Sequence, residues 1–284
     1  MGSQPAFLPH ARHSARGFTL VEMVTVILIL GILVVGVSSF IIFGTRIFVE
    51  SSSVDQVLSQ SRFAVERMTR ELRSALPSSV RINSDSLTYQ CIEFVPTEAS
   101  TTYLAMPIAP NVAAISGTVI LDDVTSKIAA NQYVWIYPLT DSDVYNSARQ
   151  KRAQIKTIAT SGNQVTLIFM ASTRFAEASP RQRIYFGSAP VSYCFEKAVS
   201  SNDLVLQRYT GYQFNGSQPR PIDMGTGVLM AQNMANSLVN NSDLPMALTP
   251  STLVNNAMVH LQPRFTVNGE TFQYRHQVQV INVP

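Results

Sequence analysis

"SARGFTLVEMVTVILILGILVV", residues 14–35, sets a single carboxylate, Glu22, inside an apolar run that begins two residues after Arg16. From Phe18 to Gly44 every residue is apolar or small except Thr19, Glu22, Thr25 and the pair Ser38-Ser39. As a helix this run spans roughly 40 Å at ~1.5 Å per residue, more than the ~30 Å hydrocarbon core of a bilayer. No second stretch of this kind follows, so the sequence predicts one membrane anchor. A carboxylate near the centre of a spanning helix costs about 2.5–3.5 kcal/mol on insertion scales, so Glu22 requires compensation. It can snorkel to the headgroups. Alternatively it meets a positive charge at its own depth, helped by the positive end of the helix dipole.

The remaining composition narrows the function classes. The 284 residues are 46% hydrophobic and 14% charged, and much of that imbalance comes from the single apolar run. The net charge of +3 loses Arg12 and Arg16 if the leader is removed, and no basic stripe or nucleic-acid motif accompanies it. Nucleic acid is therefore not an expected partner. Residues 1–17, MGSQPAFLPHARHSARG, are polar, basic near their end, and finish in glycine. A secretory signal has the opposite order, with small residues and the cut after the apolar stretch. Ala6 excludes myristoylation, and no cysteine lies near the run to carry a lipid.

Arg16-Gly17-Phe18-Thr19-Leu20-Val21-Glu22-Met23 resembles the cleavage and methylation motif of type IV pilins and of the pseudopilins of type II secretion. The resemblance implies that a prepilin peptidase cuts between Gly17 and Phe18 and methylates the new terminus, giving N-methyl-Phe18. Glu22 then stands fifth in the mature chain, where the family has a glutamate that pairs with a neighbouring subunit's terminal ammonium and sets register. Implied partners are other minor and major pilins, the peptidase, an inner-membrane assembly platform and membrane lipid. The implied location is the bacterial inner membrane, single-pass, with the globular part in the periplasm. Many family members break the helix with a proline; here the matching region reads Gly36-Val37-Ser38-Ser39.

Beyond the anchor, Val54, Val57, Leu58, Val65, Met68, Leu72, Ala75 and Leu76 recur at three- and four-residue spacing. Arg62, Glu66, Arg67, Arg70 and Arg73 fall mostly opposite them, with Glu66 four residues before Arg70. This predicts an amphipathic continuation ending near Pro77 and packed on a globular domain. After residue 78 the period becomes two, and 86–95, 132–139, 153–160, 164–170, 183–188, 191–197 and 203–210 read as strands. Val259, Leu261, Phe265 and Val267 alternate with polar residues up to Asn268-Gly269, a hairpin turn. The return strand carries Phe272, Tyr274, His276, Val278 and Val280 on one face. Residues 211–256 read as loops with a short helix around 228–239. The expected fold is α+β, a long N-terminal helix packed on one mainly antiparallel β domain. Its parts are a leader (1–17), an assembly half of the helix (18–44), an amphipathic half (45–76) and a β-rich domain (77–284). "VSYCFEKAVSSNDLVLQRYTG", residues 191–211, resembles a strand-turn-strand ending in Leu-x-Arg that recurs in the J-type and W-type minor subunits.

Little in the globular part points to chemistry. Cys91 and Cys194 follow the anchor; an exported pair predicts a disulfide, although two buried thiols would read the same. His260 and His276 remain after the leader, and His276 reads as a hydrogen-bonded core histidine. Gly225-Thr226-Gly227 reads as a turn, and Asp122-Asp123 and Asp141-x-Asp143 lack a full calcium ligand set. No HExxH, GxSxG or phosphate-loop pattern occurs. The expectation is no catalytic residue, no metal and no cofactor: a minor pilin-like structural subunit that primes or caps a pilus. The alternatives are a minor pseudopilin of type II secretion and, in another class, a membrane-tethered enzyme or sensor.

Overall fold

The computed structural model describes residues 17–121, 127–198, 203–252 and 255–281. One helix, α1 (Leu20–Arg73), runs without interruption through the glycines of the apolar segment. Residues 17–52 are exposed on every side. Contacts divide the chain into two units, the second running from Val54 onward. In that unit Ser61, Ala64, Val65, Met68, Thr69 and Leu72 are buried, alternating three- and one-residue steps along a single stripe. The helix stops at Arg73, three residues short of the apolar stripe's end at Leu76. There the backbone turns to the sheet instead: Leu76 N–H donates to Val95 O at 2.7 Å, and Ala75 bridges Pro96.

The strands follow as β1 (Arg81–Asp85), β2 (Tyr89–Phe94), β3 (Ala99–Ala105), β4 (Ala114–Ile120) and β5 (Tyr133–Trp135). After a short helix, α2 (Asp141–Tyr145), come β6 (Arg152–Ser161), β7 (Gln164–Thr173), β8 (Arg183–Gly187), β9 (Val191–Lys197) and β10 (Leu204–Thr210). The last six are β11 (Val228–Met234), β12 (Met246–Thr249), β13 (Ala257–Leu261), β14 (Arg264–Val267), β15 (Glu270–Gln273) and β16 (His276–Val280). A seven-stranded sheet has the order β1-β2-β9-β10-β11-β14-β15, and a three-stranded sheet the order β12-β13-β16. Every strand pair in both sheets is antiparallel. The buried stripe of α1 shares one core with both sheets, through residues such as Phe94, Tyr193, Met234, Val259 and Phe265.

One mainly antiparallel β domain was expected from the sequence; besides the two sheets the chain builds a closed barrel, β3-β4-β7-β6-β5-β8. It has its own core, including Val119, Ile155, Leu167, Phe175 and Phe186. The barrel is an excursion between β2 and β9, which pair directly with each other in the main sheet. Where it returns, Gly187 lies so close to the Pro96 carbonyl that a Cβ there would sit 2.7 Å from that oxygen. A side chain at this position would force the backbone apart.

The region expected to hold a helix around 228–239 is a strand, β11. Its Met230, Ala231 and Met234 are buried against β10 and the core, so sheet pairing overrides the local helix preference of "LMAQ". The C-terminal hairpin forms at Asn268-Gly269, both with positive φ (51° and 86°), as a type I′ turn requires. Its pairing keeps one register along its length, yet the hairpin is shared between sheets. Arg264 faces Gln273 in the large sheet, and Leu261 faces His276 in the small one.

Candidate functional site

Helix α1 begins with a cap. Thr19 precedes the first helical residue, and its Oγ1 accepts from Glu22 N–H at 3.2 Å. Thr-x-x-Glu is the spacing of a capping box, so Glu22 occupies the third helical position, where the helix dipole favours a carboxylate. The sequence carried this signal, which the reading of Glu22 as a snorkelling or assembly carboxylate did not name. Phe18 is 76% exposed and no ion pair involves Glu22 among the described residues. Gly17 is described and open, with nothing within 4 Å of a Cβ placed on it. Residues 1–16 lie outside the described residues. What α1 presents at this end is one carboxylate in the first turn of an exposed apolar rod.

At its other end α1 is tied to the sheet by charge. Glu71 accepts from Arg67 Nε at 3.1 Å along the helix and from Arg208 Nε of β10 at 2.9 Å. Arg208 is the arginine of the Leu-x-Arg pattern, so that pattern here supplies the clasp between β10 and α1. The helical pair that forms is Arg67–Glu71, which the sequence reading, focused on Glu66 and Arg70, did not name.

A second polar junction holds the barrel to the main sheet. The guanidinium of Arg81 donates to Glu93 Oε2 and to the carbonyls of Asn215 and Gly216, the latter two at 2.8 Å. It also lies 3.6 Å from the ring centre of Tyr145 on α2. Tyr145 in turn donates to Ser79 O at 2.9 Å. Arg81 and Glu93 are both buried. Burial pushes the Glu93 carboxyl above its ordinary range, and Arg81 beside it opposes that shift without cancelling it. Burial likewise raises the Tyr145 phenol well above its ordinary value. No sequence motif marked this junction, because its members come from four separate segments.

Cys91 and Cys194 face each other across β2 and β9, with Cα atoms 4.1 Å apart, and are bridged. The bond lies at the root of the barrel excursion and closes a separation of 103 residues. Tyr89, Tyr209, Tyr212 and Met224 pack around it.

The remaining candidates are structural. Asp143 is a cap: its Oδ2 accepts from the N–H groups of Leu139 and Thr140, and its Oδ1 from Arg149. Burial drives its pKa up, but these donors outweigh burial and leave it lowered. Asp141 accepts from Ser142 N–H. Asp122-Asp123 lies outside the described residues. No metal-holding cluster occurs among the described residues. Gly225 turns with φ 85°, and Gly227 sits against Gln207 and Tyr209. His260 shares a 3.2 Å contact with Thr249 Oγ1. His276 differs from expectation: it is half-buried, and its Nε2 has no hydrogen-bond partner among the described residues. The strand crosses from one sheet to the other here, and a groove beside α1 replaces the packed neighbour a core histidine would have.

Residues 12–38 match the family model of the prokaryotic N-terminal methylation motif. The match covers Gly17, Phe18 and Glu22 and stops within the exposed apolar half of α1. No curated protein and no solved structure matches the chain. The motif supports a precursor of the type IV pilin or pseudopilin type, and such a motif implies prepilin peptidase processing and assembly with other pilins. Together with a helix long and apolar enough to cross a membrane, it is consistent with a single-pass, membrane-anchored protein.

Proposed function

We propose that the chain is a minor pilin-like subunit, cut between Gly17 and Phe18, methylated on Phe18 and held in the inner membrane with its β domain in the periplasm. There it joins other pilins to prime or cap a type IV pilus, reaching the pilus tip. The observation that carries this reading is the methylation motif running into an apolar helix whose residues up to 52 are exposed among the described residues. Size supports a low-copy role, since a main sheet plus a barrel is hard to repeat along a thin filament. Within the family, the narrower resemblance is to MshO, the minor pilin-like protein of mannose-sensitive haemagglutinin pilus biogenesis. That likeness is of the whole chain, including the closing "HQVQVINVP", whose last three residues lie outside the described set. A minor pseudopilin of type II secretion is the second reading, favoured by the same motif.

N-terminal mass spectrometry of the membrane-extracted protein tests the proposal. The expected mature chain begins at N-methyl-Phe18 in cells with prepilin peptidase and retains residues 1–17 in cells without it. An intact leader in the presence of active peptidase, or a cut beyond residue 35, refutes it and favours a tethered protein of another class.

A further inference from the structure

β15 and β16 form one return strand, and each is the outermost strand of its sheet. Tyr274 donates its N–H to Pro263 O at 3.0 Å, which fixes the alternation along the strand. Phe272, Tyr274, His276, Val278 and Val280 turn their backbone groups inward to β14 and β13. Thr271, Gln273, Arg275, Gln277 and Gln279 therefore turn theirs outward. All five are exposed, and no strand pairs with β15 or β16 on that side among the described residues. An unpaired edge is normally blunted by proline, by repeated charge or by a covering segment. This one has no proline, and its charges are Glu270 and Arg275.

Beside the edge, on the side that Tyr274 and His276 face, lies a groove of about 600 Å³ against α1. Arg62, Arg70, Arg73 and Arg275 line it, against one carboxylate, Glu66. Thr69 also lines it; that side chain is more than nine-tenths buried, and its Oγ1 has no hydrogen-bond partner among the described residues. His276 is half-buried, and its Nε2 atom also lacks a hydrogen-bond partner among the described residues. A strand added to the free edge would aim alternate side chains into this groove, where the wall is cationic and two buried polar atoms await partners.

We propose that the outer edge of residues 271–279 is a docking site for an extended acidic segment of a partner protein, added as a further strand with its carboxylates toward the arginines. The site stands on the geometry of the β domain and is independent of the pilin reading. The test uses the full chain in detergent micelles and a labelled peptide, acetyl-Glu-Val-Glu-Val-Glu-Val-amide, beside its lysine counterpart. Saturable binding of the acidic peptide alone is expected by fluorescence anisotropy, with slowed amide hydrogen exchange at Arg275, Gln277 and Gln279. Gln277→Pro removes an outward N–H and leaves the pairing with β13, so it should lose binding while the unfolding transition stays in place. Arg62→Glu with Arg73→Glu should reverse the preference to the lysine peptide. Four results overturn the proposal: no saturable binding, binding without slowed exchange, binding that survives Gln277→Pro, or edge amides already protected in the free chain in a concentration-dependent way. The last would show the edge taken by a second copy.

Discussion

From Leu20 to Ser52 every side chain of α1 is exposed, whereas between Ser61 and Leu72 the helix buries a stripe against two sheets. The carboxylates of the two parts differ in the same way. Glu71 is gripped by Arg67 and Arg208 of its own chain; Glu22 has a threonine cap at its backbone and no ion pair among the described residues. Backbone geometry is the same throughout, so helix formation does not explain the contrast. The lower part completes its interactions within the chain. The upper part, apolar all round, requires lipid or other helices as its surroundings. One element therefore serves as part of a folding core at one end and stays apolar and exposed at the other.

The contrast is sharpened first by breaking an interaction that the chain completes internally. Arg81→Met leaves Glu93 buried without its counter-ion and is expected to cost about 3–5 kcal/mol near neutral pH. Burial already raises the Glu93 pKa, and removing Arg81 raises it further. A carboxyl raised on folding contributes stability fully below its unfolded value, about 4.3, and loses that contribution as pH climbs through the folded value. Urea unfolding of the full chain in detergent should therefore show a smaller defect at pH 4 than at pH 8; an equal defect would mean that Glu93 is not the cause.

The helix itself supplies the next comparison. Leu72 is fully buried and Leu30 is 57% exposed. Leu72→Ala should cost about 2–5 kcal/mol of domain stability, while Leu30→Ala should leave the same unfolding curve unchanged. Equal effects would show that the upper part also packs on the domain. A smaller effect is expected from Glu71→Gln, which weakens the hold on Arg67 and Arg208 at a partly buried site: about 1 kcal/mol or less, weakening as salt is added. A salt-independent loss would mean that shape, and not charge, makes the clasp.

Sequence period made the anchor, the amphipathic stripe and the strands β2 and β5–β10 legible, because each combines a regular apolar pattern with β-branched or aromatic residues. β3 and β4, "ASTTYLA" and "AISGTVI", carry β-branched residues too, but Thr101 and Gly117 stand at buried positions and break the apolar alternation, and both strands pair with barrel neighbours distant in sequence. β11 was misread for the same reason, since its edge of β10 is absent from any local window. Closure of the barrel, the Arg81 junction and the sheet crossing at Tyr274 all depend on long-range pairing, which spacing along the chain does not encode. At the N-terminus the situation is reversed. Gly17, Phe18 and Glu22 lie within a linear motif, which is recognised without any fold.

The central claim is that Glu22 finds its charge partner outside its own folded domain, and Glu22→Ala in the full chain tests it most directly. Processing at Gly17, membrane insertion and the domain's unfolding curve should stay as in the wild type, with insertion eased by loss of a buried charge. Crosslinking to partner pilins and surface piliation should be lost, Glu22→Val should behave alike, and Glu22→Asp should be intermediate. Wild-type crosslinking and piliation in Glu22→Ala would contradict the account and leave Glu22 as a helix cap that snorkels to the membrane surface.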